Sequence, residues 1–175
     1  MKLALGGGRK RREGWANVDI KKYPEVDVIL DIRNLPEKFQ KESIDEILME
    51  HIIEHFTYNE AKKLLKDCYD LLKQGGKMII FCPDLMKVIP AWLNDEGGKR
   101  NRFLTTCLYG NQWDYYEDKP DDFYEVHKSG WYDKTLASEL HNIGFKKIIK
   151  KKHPPETLEG EHEWRRYEMI LEAEK

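Results

Sequence analysis

The sequence predicts an open α/β fold in which crossover connections build a mostly parallel sheet. Short apolar runs of strand type alternate with amphipathic helical segments along the chain, which is the pattern of such sheets. The first run, 2–5, ends at three consecutive glycines, Gly6, Gly7 and Gly8, as expected for a strand that leads into a tight turn. The run at 77–82 is apolar almost without interruption, which is typical of a strand buried on both faces of a parallel sheet.

The remaining elements follow from periodicity and from start and stop signals. A helix is predicted at 57–74, because Thr57 and Glu60 form a capping-box pair and apolar residues recur at helical spacing after them. A second helix is predicted at about 133–143, ending at Gly144. Strands are predicted at 2–5, 16–20, 26–30, 44–49, 77–82, 145–149 and 166–173. We expect the last of these to be a closing edge strand that runs antiparallel to its neighbour.

Length and composition indicate one globular domain, residues 1–175. The 30 basic and 32 acidic residues nearly cancel, which disfavours nucleic acid as a partner. Three widely spaced cysteines fit neither a disulfide framework nor a metal site of C-x-x-C type. No stretch reaches the ~20 apolar residues that span a bilayer. We therefore expect a cytoplasmic protein.

An aromatic-rich insertion is predicted at about 86–130, where helical periodicity weakens. We expect it to lie over the edge of the sheet. Its aromatic side chains could stack on an acceptor ring or form the insertion's own core. They are Trp92, Phe103, Tyr109, Trp113, Tyr115, Tyr116, Phe123 and Tyr124.

The residues that follow the predicted strands describe an adenosine pocket, because ligands of open α/β sheets bind at the carboxyl ends of the strands. Gly6, Gly7 and Gly8 allow the backbone to approach a ligand closely. Asp19 ends the second strand, where its carboxylate can accept hydrogen bonds from both ribose hydroxyls. Asp31 ends the third strand and can accept from the adenine amine, while the N–H of Ile32 meets a ring nitrogen.

With these features the chain resembles the class I methyltransferases that depend on S-adenosylmethionine (SAM). The resemblance rests on the strand-end order, on EHIIEH at 50–55, on LKQGG at 72–76 with Pro83 and Asp84 after the next strand, and on GWANVD at 14–19. It implies a Rossmann-like sheet of seven strands, mostly parallel with an antiparallel edge strand. It also implies SAM as cofactor, held by Gly6 to Gly8, Asp19, Asp31 and Ile32, with the methionine end near Glu50 and His51.

Two departures from the family pattern concern the glycine loop. The family has an acidic residue near the end of the first strand, where this chain is apolar, and only ten residues separate Gly8 from Asp19. The first crossover helix is therefore predicted to be shortened or absent. Arg9 or Lys10 could supply a charge for the methionine carboxylate, although a solvated loop is the more common place for both.

Three other classes of protein remain as alternatives. His51, Glu54 and His55 match the H-x-x-E-H pattern of zinc hydrolases, but His51 directly follows a strand, and we predict no metal. A nicotinamide-dependent oxidoreductase would need G-x-G-x-x-G, which the glycine loop lacks. A module that binds SAM without catalysis differs from an enzyme only by the absence of methyl transfer.

The predicted acceptor is a small molecule, a sugar or a glycan. A nucleic-acid base is disfavoured because the family's amino-methylating signature after strand four is replaced by residues 50–53. The return of the insertion toward the sheet carries His127, whose ordinary pKa of about 6.5 suits a general base. Asp84 follows the fifth strand at the same edge. We predict that His127, with Asp84, orients or deprotonates the acceptor.

Overall fold

A computed structural model describes residues 1–94, 101–111, 125–153 and 165–175. Its centre is a seven-stranded sheet in the order β3-β2-β1-β4-β5-β7-β6. The strands are β1 (Lys2–Leu5), β2 (Trp15–Asp19), β3 (Val28–Ile29), β4 (Ile44–Glu50), β5 (Leu72–Pro83), β6 (Lys146–Lys151) and β7 (Glu168–Glu174). The first five pair in parallel, and β7 runs antiparallel to both β5 and β6. The predicted fold class is thus confirmed.

The last strand lies one position inside the sheet rather than at its edge. β7 is almost entirely buried and pairs on both sides, whereas β6 has one partner and its lysine-rich sequence is mostly exposed. Exposed charge protects an edge strand from pairing with another chain, so the lysines explain why β6 takes the edge. The antiparallel direction predicted for 166–173 is correct, but its edge position is wrong.

Helices cover the sheet and meet its apolar side chains. They are α1 (Leu35–Lys38), α2 (Tyr58–Leu71), α3 (Leu85–Leu93), α4 (Asn101–Tyr109) and α5 (Asp133–Ile143). The buried core joins β1, β4, β5 and β7 with the inner faces of α2 and α5. None of the helices within the described ranges is long and apolar enough to cross a membrane.

Helix α2 begins as predicted but ends earlier. Thr57 and Glu60 form the capping box, with the Glu60 carboxylate accepting from Thr57 N at 2.9 Å. The helix stops at Leu71, and Leu72 already pairs with Ile44 as the first residue of β5. The predicted end at residue 74 is therefore too late. Gly75 and Gly76, which follow it, lie in an irregular part of the strand, where Gly75 has a positive φ of 76°.

The described parts of the predicted insertion are α3, α4 and the segment 125–130. Trp92 Nε1 on α3 donates to Thr105 Oγ1 on α4 at 3.2 Å, and a bridge between Gly110 and Val126 begins the return to the sheet. Five of the eight aromatic residues, Trp113, Tyr115, Tyr116, Phe123 and Tyr124, lie outside the described residues. The limits 86–130 and the single domain at 1–175 stay predictions.

Candidate active site

A cavity of about 290 Å³ lies beyond the carboxyl ends of β1, β2 and β4. It brings together six residues that the sequence assigned to the cofactor. These are Gly6, Gly8, Asp19, Asp31, Ile32 and His51. The rest of the lining was not predicted individually and consists of Ile20, Lys21, Tyr23, Arg33, Ile52, His55, Phe56, Glu60, Glu125 and Lys128. Its volume is at the lower end of the range for small-molecule pockets.

The glycine loop folds without a helix, as predicted, and Asn17 holds it in place. The Asn17 amide donates to Gly8 O at 2.9 Å and to Glu25 O at 3.0 Å, and its side chain is 2% exposed. A Cβ on Gly7 would lie 2.3 Å from Asn17 Oδ1, so Gly7 is required for this packing. Gly7 was predicted to hold the cofactor, but it does not line the cavity.

Glu50 also lies outside the cavity. Its carboxylate pairs with Lys10 Nζ at 2.9 Å and with Arg12 Nη2, both from the glycine loop. Burial alone would raise the pKa of Glu50, but these two cations outweigh it and hold the pKa below its usual value. Glu50 was predicted at the methionine end of the cofactor; here it fastens the loop to the end of β4. Arg9, which like Lys10 could supply a charge for the methionine carboxylate, lies over the Tyr23 ring, 5.0 Å from its centroid.

Asp19 ends β2, as predicted, and its carboxylate also holds the backbone around the site. Its Oδ2 accepts from Gly8 N at 2.9 Å and its Oδ1 from Lys21 N at 2.8 Å. The residue is 8% exposed and lines the cavity. Each carboxylate oxygen can accept more than one hydrogen bond, so Asp19 can tie down the loop and still bind a hydroxyl pair.

Asp31 and Ile32 form the next part of the cavity wall. Arg33 binds the Asp31 carboxylate through its guanidinium and its backbone N–H, and the side-chain hydrogen bond is the main reason that the pKa of Asp31 is lowered. Ile32 is buried. Arg33 itself lines the cavity, together with the aromatic side chains of Tyr23 and Phe56. This part therefore combines flat apolar surfaces with one carboxylate.

His51 directly follows β4 in a left-handed conformation, with φ of 55°. Such backbone is costly for a residue other than glycine and is often found at functional sites. Its Nδ1 lies 3.2 Å from Glu54 Oε1, and its Nε2 lies 2.5 Å from Glu168 Oε1. Burial opposes protonation, but the two carboxylates outweigh it and raise the pKa of His51 to about 10. His51 is thus a cation at neutral pH, in contact with two buried carboxylates.

These contacts separate the site from the zinc-hydrolase pattern considered above, because both ring nitrogens of His51 face carboxylates. Glu54 could have been suspected from the motif at 50–55. Glu168 could not, since it lies 117 residues away. Its only signal in the sequence is an acidic residue at the start of β7, directly before the apolar residues 169–171.

The two residues predicted to act on the acceptor do not line the cavity. Asp84 is 1% exposed, caps α3 by accepting from Met86 N at 3.1 Å, and pairs with Lys150 Nζ at 3.3 Å. We therefore assign Asp84 a structural role. His127 lies behind His55, with ring centroids 4.9 Å apart, and its Nδ1 is 3.1 Å from Cys107 O. Burial lowers the pKa of His127, which favours the neutral ring.

A mostly parallel seven-stranded sheet with one antiparallel strand, and a glycine loop and strand-end aspartates around one cavity, are the features of the class I methyltransferase fold. Residues 11–80 match the family model described as "Methyltransferase domain". No curated protein sequence matches the chain.

Solved structures extend the likeness over the whole chain. A SAM-dependent methyltransferase from Archaeoglobus fulgidus superposes with a TM-score of 0.64 at 16% identity, covering 99% of this chain and 85% of that one. The 1,6-didemethyltoxoflavin-N1-methyltransferase of Burkholderia thailandensis, with bound 1,6-didemethyltoxoflavin and S-adenosylhomocysteine, superposes with a TM-score of 0.63 at 14% identity. The match covers 99% of this chain and 70% of that one. Human N-acetylserotonin methyltransferase in complex with SAM superposes with a TM-score of 0.58 at 13% identity, and the match covers 99% of this chain and 47% of that one.

Residues 11–80 thus match the methyltransferase family model, and the whole chain has the fold of class I SAM-dependent methyltransferases, the class that the sequence resembles. The methyl donor of this class is SAM.

Proposed function

We propose that the cavity beside the glycine loop binds SAM and that the chain transfers its methyl group to a small-molecule acceptor. The observation that carries the proposal is the convergence of Gly6, Gly8, Asp19, Asp31, Ile32 and His51 around one cavity. These residues come from four separate stretches of the sequence.

The residues present fit this cofactor. A Cβ on Gly8 would meet no atom within 4 Å, so open space lies beside the loop where a ligand can approach the backbone. Asp19 would bind the two ribose hydroxyls, and Asp31 with the Ile32 N–H would bind adenine between Tyr23 and Phe56. The methionine end would then point toward His51. Bound SAM supplies the electrophilic methyl group.

The acceptor is assigned to the side of the cavity where the segment 125–130 returns. Glu125 and Lys128 of that segment line the cavity, as does His55. Charged and hydrogen-bonding side chains suit an acceptor rich in hydroxyl groups, so we propose a small molecule of sugar or glycan type. The Burkholderia enzyme, which has a similar fold, is described with a small heterocyclic molecule bound. We also propose that nucleic acid is not the acceptor and that the protein is cytoplasmic.

The cofactor assignment is tested by calorimetric titration of SAM into the parent protein and into Asp19→Asn. The substitution removes the charge and one acceptor oxygen from a site that makes charge-assisted hydrogen bonds. We expect a loss of about 2–4 kcal/mol, or roughly 30- to 1000-fold in affinity. Asp67→Asn is the matched control, because Asp67 lies on α2 in an exposed pair with Lys63. Equal affinity in Asp19→Asn and Asp67→Asn would refute the ribose assignment.

Catalysis is tested by measuring release of S-adenosylhomocysteine with a panel of hydroxylated small molecules. We expect product formation with at least one sugar-type acceptor, and a rate that falls in proportion to the lost SAM occupancy when Asp19→Asn is used at SAM concentrations below its raised dissociation constant. A protein that binds SAM but transfers methyl to no member of the panel would instead favour the non-catalytic binding module.

A further inference from the structure

Three side chains next to the cavity form a group to which the proposed methyl transfer assigns no chemical step. Glu54 and His55 lie on the 3₁₀ turn Ile53–His55 after β4, and His127 lies on the returning segment 125–130. One potential ligand atom from each residue lies within 4.8 Å of the others. Lys128 N donates to Glu54 O at 2.7 Å and Ser129 N to the same oxygen at 3.1 Å. Backbone hydrogen bonds thus fix the returning segment against the turn.

The hydrogen bonds of the two histidines place their ring protons on Nδ1. His55 Nδ1 lies 3.3 Å from Val126 O, and His127 Nδ1 lies 3.1 Å from Cys107 O. A carbonyl oxygen only accepts, so each Nδ1 must be the donor. The lone pair of each neutral ring is then on Nε2. Metal-binding histidines adopt this arrangement, with one ring nitrogen donating to a carbonyl and the other binding the ion.

Glu54 supplies a second, independent observation. Its side chain is 2% exposed, and while Oε1 contacts His51, Oε2 is buried without a hydrogen-bond partner among the described residues. A buried carboxylate oxygen without a partner costs free energy comparable to a lost charged hydrogen bond. A cation beside Oε2 would satisfy this oxygen.

We propose that Glu54, His55 and His127 bind one divalent transition-metal ion of the zinc type. Two imidazole nitrogens and one carboxylate oxygen suit such an ion, whereas calcium and magnesium prefer oxygen ligands alone. Tetrahedral ligands at about 2.0–2.2 Å from zinc lie roughly 3.3 Å apart, so side-chain shifts of about 1 Å would close the site. Three protein ligands leave a fourth position open. Because His55 lines the cavity, the ion would lie beside the bound ligand.

This site differs from the H-x-x-E-H pattern and from the sequence-based expectation of no metal. His51 is not a ligand, because Glu54 and Glu168 occupy its two ring nitrogens. Glu54 is a ligand rather than a base. The second histidine comes from the returning segment, 72 residues after His55, which no local motif could indicate.

The test is a Zn²⁺ titration of chelator-treated protein, followed by calorimetry and elemental analysis. We expect one Zn²⁺ per chain in the parent and binding at least roughly 100-fold weaker in His127→Gln and in Glu54→Gln, since even the loss of an outer hydrogen-bond partner costs 10- to 100-fold. His141→Gln is the matched control, because His141 is exposed on α5. Thermal unfolding without metal identifies any variant that fails to fold.

X-ray absorption of the zinc-loaded parent keeps the proposal testable even if a variant does not fold. We expect two imidazoles and oxygen ligands around the ion. Absence of stoichiometric Zn²⁺ in the parent, unchanged binding in a folded His127→Gln, or a sulfur ligand from Cys107 would each overturn the proposal. The titration is carried out without SAM, so its outcome is independent of the proposed methyl transfer.

Discussion

Replacement of Asn17 tests the physical explanation of the glycine loop. Asn17→Ala removes the amide that donates to Gly8 O and Glu25 O. Each hydrogen bond contributes about 0.5–1.5 kcal/mol, and the substitution leaves these two acceptors, and the more distant Lys10 O at 3.4 Å, without their donor. Asn17 Oδ1 is itself buried without a partner among the described residues, so its removal offsets part of the loss. We expect a net loss of about 1–3 kcal/mol in the free energy of unfolding.

A second substitution at the same position separates hydrogen bonding from packing. Asn17→Asp has nearly the same shape but cannot donate, and it places a negative charge against two carbonyl oxygens. We therefore expect it to be less stable than Asn17→Ala at pH 7. SAM affinity should fall about tenfold or more in both variants, because ordering even one released loop residue costs about 1–2 kcal/mol.

The assay is urea denaturation followed by circular dichroism, with SAM affinity measured by calorimetry. Asn34→Ala is the matched control, since Asn34 is exposed and its side chain makes no capping hydrogen bond. We expect it to stay within about 0.5 kcal/mol of the parent. Stability of Asn17→Asp equal to that of the parent would refute the account of how the loop is held.

Two further substitutions probe the loop. Gly6→Ala should lower the free energy of unfolding by about 2–5 kcal/mol, because φ is 64° and the added Cβ would lie 1.9 Å from Ile52 Cδ1. Gly8→Ala has a φ of 53° and no atom within 4 Å of the added Cβ, so it should lower that free energy by only about 1–2 kcal/mol in urea denaturation. Equal losses in the two variants would contradict the packing. Glu50→Gln should cost about 1 kcal/mol at pH 7 through its pairs with Lys10 and Arg12. Since the pKa of Glu50 is lowered on folding, this stabilisation is complete above the unfolded pKa of about 4.3 and is lost as pH falls through the folded value. The stability difference between parent and Glu50→Gln should therefore shrink below about pH 4, and a constant difference would contradict the ion pairs.

Local and strand-end signals predicted much of this structure, because they depend on residues close in sequence. The capping box of Thr57 and Glu60 located the start of α2. The rule that ligands bind at the carboxyl ends of parallel strands predicted Asp19 and Asp31 at one site, and both line the cavity. The ten residues between Gly8 and Asp19 correctly predicted a connection without a full helix.

Features that depend on residues far apart in the sequence could not be predicted from local patterns. Glu168 reaches His51 only because β7 lies beside β5, a placement that no local pattern determines. Glu50 was expected at the cofactor, since nothing in the sequence indicates that two loop cations bind its carboxylate. Asp84 follows β5 as predicted, yet the start of α3 uses its side chain as a cap. Competition from backbone N–H groups and ion pairs thus decides which strand-end carboxylates are available to a ligand.

A crystal structure of the complex with S-adenosylhomocysteine tests the central claim most directly. The account predicts that the two ribose hydroxyls lie within hydrogen-bonding distance of the Asp19 carboxylate. It also predicts the adenine amine near Asp31 and the homocysteine end toward His51. A ligand bound elsewhere, or in this cavity with the ribose away from Asp19, would contradict it.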